Sequence, residues 1–265
     1  MYKYINEKNE HLHTLDTAPL IGTSTVVGIL AKNLTWWSAE CAAVECLESG
    51  EKIETIRGEY LVACSSLDKK KAIDELQKKY PIFKKARFAH FADKNKKAEL
   101  GVDRHEILER YVKLMISDQG GVPHKMNGGY EEIDSFISWA VENVKRFLWS
   151  ELHCYSKDMW TGGIADVGWE DMHGQIIAGD FKSSKEAFLN QFIQVAGYDL
   201  EITENGGFDK DGNKIFTLKK PIVGYCIVPF GSETLQPKII YDIEDYKLGF
   251  KSALVLHRLQ TQYEK

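Results

Sequence analysis

The sequence has 265 residues, 43% of them hydrophobic and 28% charged, which is an ordinary globular composition with enough length for a sizeable core. No apolar stretch reaches the roughly 20 residues that span a bilayer, and the start lacks a signal-peptide apolar region. We therefore expect a cytoplasmic protein with no membrane partner. The five cysteines are scattered and form no CxxC pair, which argues against a disulfide framework or a cysteine zinc site.

The net charge of −5 argues at first against a nucleic-acid partner, but the charge is unevenly distributed. Eleven basic residues between Lys69 and Lys97 are opposed by only three acidic ones. This stretch is a candidate phosphate-contacting surface, and the alternative is a solvated helix face. The candidate DNA-binding residues within it are Lys84, Lys85, Arg87, Lys94, Lys96 and Lys97.

The N-terminal half is predicted to be mainly helical. Apolar residues recur at spacings of three and four over 21–49, with Thr23 or Ser24 as the N-cap. Two charged helical segments, 58–80 and 96–116, are separated by Pro81, a helix breaker. A glycine-rich loop is predicted over 117–132, and 133–152 is again predicted to be helical.

Strands predominate after Cys154. The segments 161–170 and 175–182 predict a β-hairpin, followed by a helix over 183–202 that starts with a Ser183–Glu186 capping box. A hairpin around Asp211, strands over 221–230 and 237–243, and a terminal helix complete the chain. The predicted fold is α/β in one domain over 1–265, with a helical part over 1–150 and a mixed β-sheet flanked by helices over 151–265.

The stretch "AGDFK" places Asp180 and Lys182 at the end of an apolar strand, where ionised groups are costly. Side chains of a strand alternate between its two faces, so Asp180 and Lys182 share one face and Phe181 is directed from the other face into the core. The hairpin turn can bring Asp166 opposite Asp180. Two close aspartates repel unless a cation lies between them, and carboxylate oxygens suit Mg²⁺ or Mn²⁺. The alternative is a surface ion pair on an edge strand.

The helix after this hairpin carries Gln191, Gln194 and Tyr198 at positions i, i+3 and i+7 of one face. Amides and a phenol can contact phosphates or support the lysine. The alternative is that they form the polar side of an amphipathic helix whose core stripe includes Leu189.

These residues together resemble the RecB-like branch of the PD-(D/E)XK nuclease superfamily, which has a restriction-endonuclease-like fold. The motif residues are Asp166, then Asp180 and Lys182 in D-x-K, then Gln194 and Tyr198 in Q-x-x-x-Y. Gly101 and His105 match the G-T-x-x-H helix of the branch, with Val102 in place of threonine, and Glu151 matches its upstream glutamate. Only Cys226 follows the Q-x-x-x-Y helix, so we expect no iron–sulfur cluster.

The resemblance implies roles for these residues. His105, Asp166, Asp180 and the Phe181 carbonyl would be metal ligands, with Glu151 assisting a second ion if two are bound. Lys182 would position the nucleophile, and Gln194 and Tyr198 would steady the DNA backbone and the lysine. His124 is the rival histidine ligand, and Glu109 is a candidate outer partner of His105.

The resemblance implies a Mg²⁺-dependent deoxyribonuclease, an exonuclease of the phage or prophage recombination and repair type. Trp36, Trp37 and Phe88 are candidate stacking groups for DNA bases. A single-strand-annealing protein as partner and a homo-oligomer are compatible with this class. The alternatives are a structure- or sequence-specific endonuclease of the same fold and a non-catalytic DNA-binding subunit.

Overall fold

A computed structural model of the chain describes residues 1–7, 10–30, 35–48, 53–66, 68–231 and 237–263. Two compact units are present: Met1–Ala31 with Gly101–Lys265 form unit 1, and Lys32–Leu100 form unit 2. The division therefore does not lie near residue 150, where the sequence patterns change. Among the described helices, none combines the length and apolarity needed to cross a membrane.

Unit 1 contains all the β-strands that the structure describes. They are β1 (Tyr2–Glu7), β2 (Glu10–Leu15), β3 (Ala18–Pro19), β4 (Ile21–Gly22), β5 (Val144–Ser156), β6 (Thr161–Asp171), β7 (Ile176–Lys182), β8 (Gly207–Phe208), β9 (Lys214–Phe216), β10 (Ile222–Pro229) and β11 (Lys238–Ile240).

The helices alternate with these strands only in the second half of the chain. They are α1 (Thr23–Val27), a 3₁₀ helix (Gly28–Leu30), α2 (Thr35–Glu48), α3 (Ile53–Ser66), α4 (Lys69–Lys79), α5 (Pro81–Gln119), α6 (Glu131–Asn143), α7 (Leu189–Asn205) and α8 (Glu244–Tyr263). Pro81 begins α5, where its missing N–H costs no intrahelical hydrogen bond, so the predicted break before it is confirmed.

The main sheet has eight strands in the order β11-β10-β7-β6-β5-β8-β9, with β4 added beside β6. Its pairs are antiparallel except for β7 with β10 and β4 with β6. The parallel strands β7 and β10 cannot be joined by a tight turn, and the crossover connection between them contains α7. The predicted hairpin is confirmed as β6 and β7, with Val167 opposite Gly179. A mixed α/β architecture with a helix-flanked sheet is therefore confirmed.

Helices cover both faces of this sheet. On one face, Val26 of α1, Phe192 of α7 and Phe250 of α8 pack in a core cluster with Leu152 and Ile227 of the sheet. The other cluster joins the C-terminal part of α5 and α6 to the sheet; its members include Leu108, Val112, Phe136, Phe147, Trp169 and Phe181. Burial of these faces gives the sheet a fixed register, because a slip of one residue would exchange them.

Several predicted elements differ from the structure. The helix over 133–152 is wrong beyond Asn143, because Val144 begins β5 and pairs with β6. The helix over 21–49 is wrong at its start, where β4 and the short α1 form, and residues 31–34 lie outside the described residues. Gly22, not Thr23 or Ser24, is the N-cap of α1.

Two predictions about α7 are also wrong. The helix begins at Leu189 and not at Ser183, so the proposed Ser183–Glu186 capping box does not form. Instead the Gln191 side chain accepts a hydrogen bond from the Phe188 amide, 2.8 Å away. Leu189 lies outside the core, with 66% of its surface exposed.

Candidate active site

Three carboxylates come together on three adjacent strands of the main sheet. Val167 of β6 pairs with Gly179 of β7, so the next positions along the two strands are Asp166 and Asp180. On the other side of β6, Ser150 pairs with Val167 and Leu152 with Ala165, which places Glu151 beside Asp166. The register alone therefore aligns Glu151, Asp166 and Asp180 across the sheet.

Asp166 is the central member and the best-supported carboxylate. Its Oδ2 accepts a hydrogen bond from the Phe181 amide at 2.8 Å and lies 3.2 Å from Nε2 of His105. Burial opposes ionisation, but the hydrogen bond from His105, the charge of Lys182 and the Phe181 amide together hold the pKa of Asp166 below its usual value. Asp166 is thus an anion at neutral pH.

Asp180 is fully buried, and its carboxylate has few partners. Lys182 forms an ion pair with its Oδ2, yet among the described residues neither carboxylate oxygen has a hydrogen bond of normal geometry. Burial raises the pKa of Asp180, the Lys182 charge lowers it and the Asp166 charge raises it, to a net value of about 7. A buried carboxylate without hydrogen bonds is unfavourable by itself, so a further positive partner is expected at this position.

Glu151 reaches the same place through an unusual backbone conformation. Its φ is +49°, a region that L-residues other than asparagine and aspartate rarely adopt. Trp149 and Leu152 are three residues apart yet pack in the same core cluster, so the alternation of faces breaks between them. Burial, and then the Asp166 charge, raise the pKa of Glu151 to about 8. Its Oε1 is buried and has no hydrogen-bond partner among the described residues.

His105 of α5 lies at the site, as predicted. Its Nε2 is 3.2 Å from Asp166 and 3.9 Å from Glu151. Burial lowers the pKa of His105, but the hydrogen bond and charge of Asp166, and then the charges of Glu151 and Asp180, raise it to about 9. The imidazole is therefore a cation at neutral pH in the protein alone.

His124, the rival ligand, lies outside this group. Its side chain is exposed, and its backbone bonds to Tyr111 and Met115. Between the two histidines, the structure therefore brings only His105 to the carboxylates. Glu109, one turn after His105, forms an ion pair with Lys113 and does not hydrogen-bond His105 among the described residues.

The donor set fits a hard divalent cation. One ligand atom each from His105, Glu151 and Asp166 lies within 4.8 Å of the others. Asp180 lies outside this group of three, although its two oxygens, like Oε1 of Glu151, are buried without hydrogen bonds among the described residues, and its role as a metal ligand stays a prediction. Carboxylate oxygens with one imidazole suit Mg²⁺ or Mn²⁺ better than thiolate-preferring metals. The Phe181 amide serves Asp166, and a metal-ligand role for the Phe181 carbonyl stays a prediction.

No model of a known protein family matches the chain, and no curated protein is significantly similar to it. The likeness to the PD-(D/E)XK nucleases accordingly stays a prediction from the motif residues of the sequence.

The predicted Q-x-x-x-Y pair forms a hydrogen bond on α7. The Gln194 amide donates to the Tyr198 hydroxyl at 2.6 Å. Burial, and then the charges of Asp180 and Asp166, raise the pKa of Tyr198 well above its usual value, so the phenol stays protonated. Gln191 is already engaged, because its amide also donates to Ser184 at 3.1 Å.

The glycine pair before Asp166 has a packing role. A Cβ on Gly163 would lie 2.6 Å from the Tyr198 ring and 2.8 Å from the Thr23 hydroxyl. Gly163 therefore lets α7 and α1 approach β6 closely. This close approach places Tyr198 near the carboxylates.

The basic stretch belongs to α4 and to the first part of α5. Lys78 pairs with Glu75 at 2.7 Å and Lys79 with Glu59 at 2.6 Å, so part of its charge is compensated within unit 2. Lys85 is exposed. The side chains of the other candidates lie outside the described residues: Lys84, Arg87, Lys94, Lys96 and Lys97, and the stacking candidates Trp36, Trp37 and Phe88. DNA contact by this stretch stays a prediction.

Lys113 is a site neighbour that sequence reasoning missed. Its positive charge partly offsets the burial that raises the pKa of Glu151, and it adds to the burial that lowers the pKa of His153. His105, Glu109 and Lys113 follow at intervals of four along α5, so they share one face of the helix. The spacing of four residues from His105 to Glu109, extended by one more helical turn, leads to Lys113 and could have identified this residue from the sequence.

Proposed function

We propose that the chain is a divalent-metal-dependent deoxyribonuclease of the RecB-like PD-(D/E)XK type. One observation carries this proposal. Asp180 is buried with two oxygens that lack hydrogen bonds, next to Asp166, Glu151, His105 and the Lys182 ammonium. A stabilising core does not need such a concentration of ionisable groups, whereas a metal-assisted hydrolytic site does.

Asp180, Asp166 and Glu151 would hold the ion, and His105 would join them once it has lost its extra proton. When bound, Mg²⁺ or Mn²⁺ supplies Lewis acidity for a phosphodiester and lowers the pKa of water. The Lys182 ammonium lies beside Asp180, and in this mechanism it would orient the attacking water and stabilise negative charge that develops on the phosphate.

Tyr198 and Gln194 act on this lysine and on the DNA backbone. Their mutual hydrogen bond fixes the phenol beside the carboxylates. Because the phenol stays protonated at neutral pH, it can donate a hydrogen bond to a phosphate oxygen.

We further propose that this nuclease is an exonuclease, which degrades DNA from its ends in phage-type recombination or repair. The test is digestion of end-labelled linear duplex and of closed circular duplex, each with Mg²⁺, Mn²⁺ or a chelator. We expect release of nucleotides from the linear DNA with metal, and no change in the circle.

The other outcomes separate the alternatives. Cutting of the circle as fast as the linear DNA would indicate an endonuclease of the same fold. DNA binding without cleavage under any metal condition would indicate a non-catalytic subunit. Cleavage that persists in excess chelator would contradict the metal-dependent mechanism altogether.

A further inference from the structure

The terminal helix α8 is apolar on two opposite sides. Phe250, Ala253 and Leu254 pack in the core of unit 1. The opposite side carries five large hydrophobic residues that are strongly exposed: Leu248 (63%), Val255 (55%), Leu256 (56%), Leu259 (56%) and Tyr263 (93%). The outer face of a surface helix is normally polar, and a contiguous exposed apolar patch marks an interaction surface. We call these five residues the outer face of α8.

The spacing within the outer face is that of a helix–helix seam. Leu248, Val255 and Leu259 follow at seven and four residues, with Ser252 completing the three-four pattern. The Ser252 hydroxyl donates to the Leu248 carbonyl at 2.9 Å. Because this hydroxyl is already satisfied, Ser252 can be buried in a seam at little cost and leaves room for close approach.

A groove lies at the N-terminal end of the same helix. Its volume is about 560 Å³, and its walls are Leu189, Ile193, Ile240, Tyr241, Asp242, Asp245 and Tyr246. Leu189 and Tyr241 are more than half exposed. One end of α8 thus offers an apolar groove, and the other end offers Leu259 and the almost fully exposed Tyr263.

We propose that the outer face of α8 binds a second copy of this chain through an antiparallel α8–α8 contact around a two-fold axis at Ser252. A two-fold interface requires each surface to be complementary to itself. Position 252 is midway between 263 and 241, so this pairing brings Tyr263 of one copy to Tyr241 and the groove of the other. The same pairing sets Leu248 opposite Leu256 and Leu259 opposite Asp245.

Helix orientation and area favour a second copy of the chain. An antiparallel pair opposes the two helix dipoles, whereas Arg258 already donates to the Met159 carbonyl and Glu244 is paired with Lys247, so these charges are compensated within each copy. At about 100 Å² for each half-exposed aliphatic side chain and about 200 Å² for Tyr263, the outer face supplies about 600 Å² per copy. A standard interface buries roughly 800 Å² per partner, and the groove walls can provide the remainder.

The first test is the mass of the full chain in solution, measured by sedimentation equilibrium at high micromolar concentration. We expect a dimer, and we expect Leu259→Glu to weaken dimerisation at least about tenfold because it places a carboxylate in the seam. The matched control is Gln260→Glu, which adds the same charge at the next, exposed position and should leave the dimer unchanged. A monomeric wild-type chain, or a dimer that Leu259→Glu does not weaken, would overturn the proposal.

The second test is oxidative cross-linking in a background where Cys41, Cys46 and Cys64 are replaced by serine. Ser252→Cys lies on the proposed axis and should form an intermolecular disulfide. Gln262→Cys should not, because the two copies would be about 30 Å apart at a rise of 1.5 Å per residue. Cross-linking through Gln262→Cys as efficiently as through Ser252→Cys would indicate a parallel pairing and would refute the antiparallel arrangement. Both tests report assembly alone, so they are independent of nuclease activity.

Discussion

The backbone amide of Phe181 donates a hydrogen bond to the Asp166 carboxylate at 2.8 Å, which joins β7 to β6 beside Asp180 and Lys182. The His105 hydrogen bond and the Lys182 charge, and then this bond, hold the pKa of Asp166 below its usual value, while Asp180, one residue before Phe181, has only its ion pair with Lys182 among the described residues. Two neighbouring aspartates therefore differ in their environment. Asp166 is held as an anion by hydrogen bonds and charge, and Asp180 has the Lys182 ion pair but no hydrogen bonds among the described residues.

Lys182→Ala should reduce DNA cleavage by at least about 100-fold, because the ammonium that stabilises developing charge is removed. Metal binding should persist or strengthen, since Asp180 and Asp166 lose a competing cation. Initial rates on end-labelled DNA and the Mg²⁺-dependent rise in melting temperature measure the two effects. Lys220→Ala, which removes an exposed lysine 3.8 Å from Glu170, is the matched control. Unchanged cleavage in Lys182→Ala would remove the proposed mechanism.

Asp180→Asn should stabilise the metal-free protein at pH 8 by about 1–2 kcal/mol, because burial raises the pKa of Asp180 to about 7 despite its ion pair with Lys182, so the ionised carboxylate is unfavourable at pH 8. It should also abolish the Mg²⁺-dependent rise in melting temperature. Urea unfolding with and without Mg²⁺ measures both quantities.

The control for this substitution is Glu170→Gln, which has the opposite expected sign. Glu170 is also buried, but its oxygens lie 3.1 Å from Lys145 and 2.7 Å from Arg146. Loss of that carboxylate should therefore destabilise the protein. A lower stability of Asp180→Asn at pH 8 would contradict this expectation and would show that the Asp180–Lys182 ion pair stabilises the fold by more than burial of the carboxylate costs.

Metal affinity should increase with pH between about 6 and 9. Asp180 and Glu151 have pKa values of about 7 and 8, and that of His105 is about 9, so a cation must displace protons at lower pH. Each proton displaced changes the apparent affinity tenfold per pH unit, and we expect Mg²⁺ to bind at least about tenfold more weakly at pH 6 than at pH 8. Calorimetric titration in buffers of different ionisation enthalpy counts the protons released. Affinity that does not depend on pH would contradict this ligand set.

The hairpin of β6 and β7 could be predicted because its determinants are local. Asp166, Asp180 and Lys182 lie within 17 consecutive residues, and the turn that joins the strands lies between them. The position of His105 could not be read from local pattern, since it contacts Asp166 across 61 residues of sequence. Only the resemblance to the RecB-like motif indicated it.

β5 shows the opposite case, where local pattern gave the wrong element. Val144, Leu148 and Leu152 are spaced four apart, which fits a helix as well as a strand. The strand forms because Phe147 pairs with Trp169 and Leu152 with Ala165 on β6, which is a non-local interaction. The left-handed conformation of Glu151 likewise depends on these pairings and leaves no signal in the sequence.

Glu201→Gln should remove a pH-dependent loss of stability that is unrelated to the metal site. Glu201 of α7 is fully buried, and its oxygens accept hydrogen bonds from Thr23 at 2.6 Å and Cys154 at 3.2 Å. Burial is the main cause that raises its pKa from 4.5 to about 7, although these hydrogen bonds oppose the shift. Below pH 4.5 both the folded and the unfolded chain keep the proton, so the substitution has little pH-dependent effect there.

Between pH 4.5 and about 7 the unfolded chain releases this proton while the folded chain retains it, so wild-type stability decreases as pH increases. Above pH 7 the loss is complete and on the order of 3 kcal/mol. Glutamine keeps an oxygen for Thr23 and carries no charge, so the stability of Glu201→Gln relative to wild type should increase across this window and then level off. Urea unfolding of both proteins at pH 5, 6, 7 and 8 measures the difference. A constant difference across that range would mean that Glu201 is already ionised in the folded protein at pH 5.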